Sequence, residues 1–316
     1  MKNVSSFAKI DPAHVLDGLF VPKVAQGQAL YGVEGAFDNG TVRFQGVQLG
    51  VEHQSVLLAI AARTGRDGAK GVVAHGTSSD LMARQWSLLE VSGPLAEEDV
   101  SLVECTAYAL LIDAGMGDST GNYKNLLRLL EQLGSVVMYR SRTETGHTTG
   151  GLTHLLSFQH VDDRLIVTLN YRLTHAIFGG QNIRVSLHER HNLRNPVAKI
   201  LHTWLSAYVR EGRSLMAGHG AKLDTLARHV WGNRPATSDG VVRNRRMLLR
   251  AGLEEIADAR GLDGERAWSY TIAGKKVQVN RSKPLGCVGD DLTPGDVAER
   301  LAYDPADPDL DEPRMN

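Results

Sequence analysis

Cysteine is almost missing from this chain: Cys105 and Cys287 are the only two in 316 residues, too few for a disulfide framework or a cysteine metal site. Long apolar runs are missing as well. The longest, Val56 to Ala62, falls far short of the roughly 18–20 residues that cross a bilayer. The opening Met1-Lys2-Asn3-Val4-Ser5-Ser6 holds no apolar signal core of about 7–15 residues. Aromatics are sparse, at 6%, but 42% of the residues are hydrophobic and 22% charged. That balance excludes a mainly disordered chain and allows one large domain or two of ordinary size. A cytoplasmic protein with no membrane partner is expected.

Catalytic patterns are also wanting. His188-Glu189-Arg190-His191 sets its histidines one residue closer than the zinc-hydrolase motif requires. Gly218-His219-Gly220-Ala221-Lys222 imitates a phosphate loop but lacks the four-residue gap and the Ser/Thr after Lys. His147, His154 and His160 are scattered over expected strands without acidic companions. No nucleophile elbow and no dinucleotide fingerprint occur. The expectation is a non-enzyme with no catalytic residues, no metal and no cofactor.

What the chain does have is charge sorted along its length. The formal net charge is −1. Residues 1–193 carry 16 Lys/Arg and 19 Asp/Glu, a net −3; residues 194–283 carry 17 and 8, a net +9; residues 284–316 carry 2 and 9, a net −7. A basic module suits a polyanion, because each phosphate it neutralises releases condensed counterions. The tail, with Pro294, Pro305, Pro308 and Pro313 among its acids, is expected to be disordered and to screen the basic module from other anions.

Patterning places the elements. A hairpin is expected about Asp38-Asn39-Gly40, then a helix from Val51 to Thr64 stopped by Gly65. Glu97-Glu98-Asp99 open a helix expected to run through Ala114. After a short turn, Thr120 to Leu133 is a strongly patterned helix, and strands follow at Val136–Arg142, Leu152–Phe158 and Leu165–Leu169. The second half repeats this order: helices from Asn195 to Val209, Lys222 to Val230 and Gly240 to Ala259, then strands at Trp268–Ile272 and Lys276–Val279. Helix, turn, helix, hairpin is the order of a winged helix-turn-helix. The expected fold is therefore α+β with two tandem winged helix-turn-helix domains, 1–185 and 186–283, and an acidic tail, 284–316.

The sharpest local signal lies on the last long helix. Arg243, Arg246 and Arg250 fall within one sector at 3.6 residues per turn, with Asn244 and Arg245 beside them. Arginine forks onto guanine or onto phosphate, as an inserted recognition helix requires. Ser238 at the helix start and Lys275, Lys276, Arg281 and Lys283 on the wing are expected to hold phosphates. The matching set in the first half is weaker: Ser119, Thr120, Asn122, Lys124, Asn125 and Arg128 on the helix, Arg140 and Arg142 on the wing. An ordinary basic surface helix, paired with Glu254, Glu255 and Asp258, is the competing reading of the arginine run.

Several motifs occur in the order found in one family. Asp11-Pro12-Ala13-His14 leads to Gly18-Leu19-Phe20, and Phe44-x-Gly46 to Leu49-Gly50. Arg164-Leu165-x-Val167-x-Leu169-Asn170 and Gly179-Gly180-Gln181-x-x-Arg184-Val185-Ser186 follow, then Leu223-Asp224-Thr225-Leu226, Val230-Trp231 and Arg243-x-Arg245-Arg246. Together they resemble the RepC replication initiators of IncQ-type plasmids. The resemblance implies a protein that binds direct repeats (iterons) in double-stranded origin DNA and helps open adjacent AT-rich DNA. It also implies plasmid-encoded helicase and primase as partners, exchange between homodimer and monomer, and two domains contacting one repeat in successive major grooves. Recognition helices one turn apart would need about 34 Å of duplex between them. A transcriptional repressor on a palindromic operator, built from the same modules, is the alternative. A nuclease is a third, and it lacks a convergent acidic metal site.

Overall fold

Helices form here where apolar residues recur every three or four positions behind a polar cap, and strands where they alternate. The computed structural model describes residues 7–25, 27–30, 32–37, 40–67, 72–73, 80–93, 95, 98–144, 147–234, 236–261 and 263–282. Strand β1 (Phe7–Ile10) and a 3-10 turn (Pro12–Val15) open it, and β2 (Phe20–Val21), β3 (Val33–Phe37), β4 (Gly40–Gln45) and β5 (Leu49–Gly50) lead into α1 (Val51–Asp67). Next come β6 (Val72–Val73), α2 (Asp80–Ser87), β7 (Val100–Thr106), α3 (Ala107–Asp113) and α4 (Thr120–Gly134). Four strands follow, β8 (Val137–Glu144), β9 (His147–His154), β10 (Leu156–Val161) and β11 (Arg164–Leu169). Helix α5 (Tyr171–Phe178), β12 (Ile183–Ser186), α6 (Leu187–Asn192) and α7 (Pro196–Tyr208) precede β13 (Ala221–Lys222), α8 (Leu223–Trp231), α9 (Asp239–Asp258), β14 (Trp268–Ala273) and β15 (Lys276–Arg281).

The architecture is mixed α/β. Strands are ordered β3-β4-β8-β9 in one antiparallel sheet, β10-β11-β7-β6 in a second and β13-β15-β14 in a third. Two orders match expectation: α3, turn, α4 and the β8–β9 hairpin, and α8, turn, α9 and the β14–β15 hairpin. The expected hairpin before α1 also forms, with Phe37 opposite Gly40, although Asp38 and Asn39 lie outside the described residues.

Three local expectations change. The helix expected from Glu97 to Ala114 is a strand and then a helix: Val103 and Cys105 of β7 are buried opposite Val167 and Leu165 of β11, and Thr106 caps α3 through the Ala109 amide. Leu152–Phe158 is broken between β9 and β10, each of which pairs with a different strand. Helix α1 runs past Gly65 to Asp67, because packing on β1 and α4 outweighs the modest helix penalty of one glycine.

Residues 1–282 form one compact unit. The expected cut between 185 and 186 passes through β12, which pairs in antiparallel register with β1 at the other end of that half. Further ties cross the same line. Asp17 accepts from His229 Nδ1 at 2.5 Å, and that imidazole stacks on Trp204 with 4.1 Å between ring centres. Gly18 and Gly232, at φ +82° and +73°, bring their backbones together so closely that a Cβ on Gly232 would lie 2.8 Å from Gly18 Cα. Any side chain there would push apart β2 and α8, which adjoin the two glycines.

Arg190 of α6 lies at the centre of these ties, only 2% exposed. It donates to Lys199 O at 2.6 Å and Thr203 Oγ1 at 2.9 Å on α7, and to Gln54 Oε1 at 2.9 Å and Ser55 Oγ at 3.2 Å on α1. Among the described residues no carboxylate pairs with it, and burial lowers its pKa to about 9. A second buried group ties α6 to the hairpin. Glu189 accepts from His202 Nε2 at 2.8 Å and Trp268 Nε1 at 2.7 Å. Burial alone would raise the Glu189 pKa; the hydrogen bonds from His202 and Trp268, with the nearby Arg281 charge, bring it down to about 2.

His14 is wholly buried against Phe44, with Nδ1 at 3.2 Å from Asp11 O, and burial pushes its pKa down to about 4. Between pH 6.5 and 4 the unfolded chain therefore binds a proton that the folded chain refuses. The contribution is complete above pH 6.5 and is lost as the pH falls toward 4, amounting to about 3 kcal/mol. Urea unfolding should show that loss in the wild type and a flatter pH slope in His14→Asn, which keeps a donor for Asp11 O. Identical slopes would remove His14 from the acid response.

Candidate nucleic-acid interface

Helix α9 has two halves with different surroundings. Its buried residues, Leu249, Gly252, Leu253 and Ile256, all lie in the second half, where Gly252 packs on the α7 backbone at Ala198. The first half, from Asp239 to Leu248, has no fully buried side chain, although Leu248 packs against the core. Ser238 caps it, its Oγ accepting from the Val241 amide at 3.4 Å. Two of the three acids of the second half are engaged elsewhere: Glu255 accepts from the Arg194 and Asn195 amides at the start of α7, and Asp258 pairs with Arg266 at 2.9 Å. Glu255 and Asp258 are thereby drawn away from the arginine run.

The five polar residues of that run have different positions. Arg243, Asn244 and Arg250 are exposed, with no side-chain partner among the described residues. Arg246, placed by spacing alone in the groove-facing sector, instead forks onto Asp224 of α8, Nε at 2.8 Å and Nη2 at 2.5 Å. That pair holds the Asp224 carboxyl below its usual range, and Lys275 and Lys222 add to the effect. Arg245 turns inward: its guanidinium lies 5.4 Å from the Trp231 ring centre and donates to Arg234 O at 3.2 Å, fixing the turn between α8 and α9. Desolvation lowers its pKa.

On the hairpin, Lys275 and Lys276 are exposed at the tip, and Lys275 O accepts from the Leu223 amide at 3.1 Å, seating the tip beside α8. Arg281 is not a surface contact. Strand alternation turns it inward with Val277 and Val279; it is 6% exposed, lies 4.8 Å from the Trp268 ring centre and is paired loosely with Glu211 at 3.7 Å. Lys283 and the acidic tail lie outside the described residues.

The set from the first half is largely spent on its own fold. Ser119 caps α4 through the Asn122 amide, and Asn122 donates to Gly117 O at 2.6 Å. Asn125 donates to Glu52 of α1 at 3.2 Å, and Arg128 bridges Asn125 and Gln132. Arg140 sits opposite buried Val42 and so shares its inward face, over the Tyr171 ring at 5.7 Å. Arg142, at the end of β8, is exposed. Thr120 and Lys124 stay exposed without a partner among the described residues.

Residue spacing missed Asp224 and Trp231. They lie 22 and 14 positions from the arginines they hold, a separation that no helical period encodes. Among the described residues no three His, Cys, Asp or Glu groups gather where a metal ion could be held, and no helix is long and apolar enough to cross a membrane.

The fold is similar to a crystal structure of domains 2 and 3 of RctB solved as a selenomethionine derivative: TM-score 0.50 at 10% identity, covering 88% of this chain and 100% of that one. A second crystal structure of RctB domains 2–3 gives a TM-score of 0.46 at 8% identity, over 85% and 96%. No curated protein matches the chain. The family model described as Replication protein C (RepC) matches residues 2–275. With nearly all of its described residues inside that match, the chain belongs to the replication protein C family and is a replication initiator.

Proposed function

We propose that this initiator binds duplex DNA at its origin through two winged-helix units, with α8, α9 and the β14–β15 wing as the principal one. The observation that carries this is the first half of α9. Arg243 and Asn244 on it, and Arg250 just beyond it, are exposed with no side-chain partner among the described residues, and the Lys275–Lys276 tip is exposed as well. Such a helix fits a major groove, its arginines meeting base edges or phosphates and the wing tracking the backbone. Arg246 contributes by stiffening the α8–α9 corner through Asp224.

The α3–α4 unit, with fewer free cations, serves as the weaker reader or as the self-association surface. In the manner of IncQ-type initiators, the site is a set of direct repeats. Bending tandem repeats stores deformation energy that an AT-rich neighbour relieves by melting, and a helicase and primase are then loaded on the opened strands. DNase footprinting of the purified protein on its own replicon at near-physiological salt is the test. Evenly spaced protected repeats, with enhanced reactivity in an adjoining AT-rich stretch, are expected. A single palindromic footprint at a promoter would replace the initiator reading with that of a repressor.

A further inference from the structure

Among the described residues the most exposed large hydrophobic side chain is Met247, at 59%. It lies on α9 four residues after Arg243 and three before Arg250, so the three line one face of the helix. Met247 stands exposed on this helix, while its neighbour Leu248 turns to pack against the core. An apolar side chain between two guanidinium groups can gain burial only from a partner that covers this face. A major groove is such a partner. The thymine C5-methyl is the apolar feature of the groove edge, and an unbranched, polarisable thioether can settle on it without demanding one geometry.

We propose that Met247 is a specificity-determining residue that takes a thymine methyl group in the major groove, flanked by Arg243 and Arg250. This rests on the duplex-binding reading above, and the two fail separately. Duplexes enriched from a random-sequence pool by the full chain are rebuilt with deoxyuridine replacing each thymidine in turn, so that only the methyl is removed. The wild type should bind about fourfold more weakly at one or two positions, the factor that one buried methyl carries. Met247→Ala should bind the thymine and uracil forms equally at those positions and respond to every other substitution as the wild type does.

A thymine-to-uracil ratio that Met247→Ala leaves unchanged, or a wild type indifferent to every methyl, overturns the assignment of Met247 while duplex binding stands. An unchanged ratio combined with lost self-association in size-exclusion chromatography likewise overturns it, and moves Met247 to a protein contact. If the wild type enriches no duplex at all, the duplex-binding reading falls and the proposal with it.

Discussion

Replacing Arg243 and Arg250 together by alanine should weaken duplex binding about a hundredfold, at one to a few kcal/mol per contact, while leaving the fold intact. Both side chains are exposed and have no side-chain partner among the described residues. If both meet phosphates, the slope of log affinity against log salt should fall by about two, because each released counterion contributes about 0.9. If one of them reads a base, the loss should be larger on a selected site than on random duplex, and the slope should change less. Fluorescence anisotropy over a salt series on both duplexes separates these cases. Salt slopes parallel to the wild type, with unchanged affinity, would remove the Arg243–Arg250 face of α9 from the interface.

The largest expected loss of stability is at Arg190. Arg190→Ala removes four donated hydrogen bonds and leaves a cavity between α1, α6 and α7, at a cost of about 3–5 kcal/mol. Arg190→Met should cost clearly less. It fills most of the volume, the buried charge it removes has no carboxylate to strand, and Thr203 already donates to Gln54 at 3.3 Å. Urea unfolding of the three proteins tests the order. Since Arg190 joins both halves, unfolding of Arg190→Ala should still be one transition with a lower midpoint. Two separated transitions would show that the halves fold independently and that Arg190 is not their tie.

What the sequence determined by itself is local. The helices α4, α7, α8 and α9 and the β14–β15 hairpin were legible because a helix of 9 to 20 residues repeats its apolar face several times and because Ser119, Asn195 and Ser238 cap their own chains. The basic character of residues 194–283 is additive and needs no fold. The tertiary structure decided what periodicity does not contain. A strand such as β7 is made by its partners β11 and β6 more than by its own residues. The single unit through residue 282 arises from β1 reaching β12, and from buried polar ties at Arg190 and Asp17 between residues far apart in sequence.

The arginine run illustrates the division. Spacing placed Arg243, Arg246 and Arg250 on one face, but two guanidinium groups of the run are held by residues on α8 or the turn after it, and Arg281 is drawn inward by strand alternation. Long-range ion pairs and burial are properties of distance in space, and chain spacing sets that distance only within one helix or strand. The sequence alone determined which segment is cationic. Only the packing of α9 on α7 and α8 decided which of its side chains remain free to meet a partner.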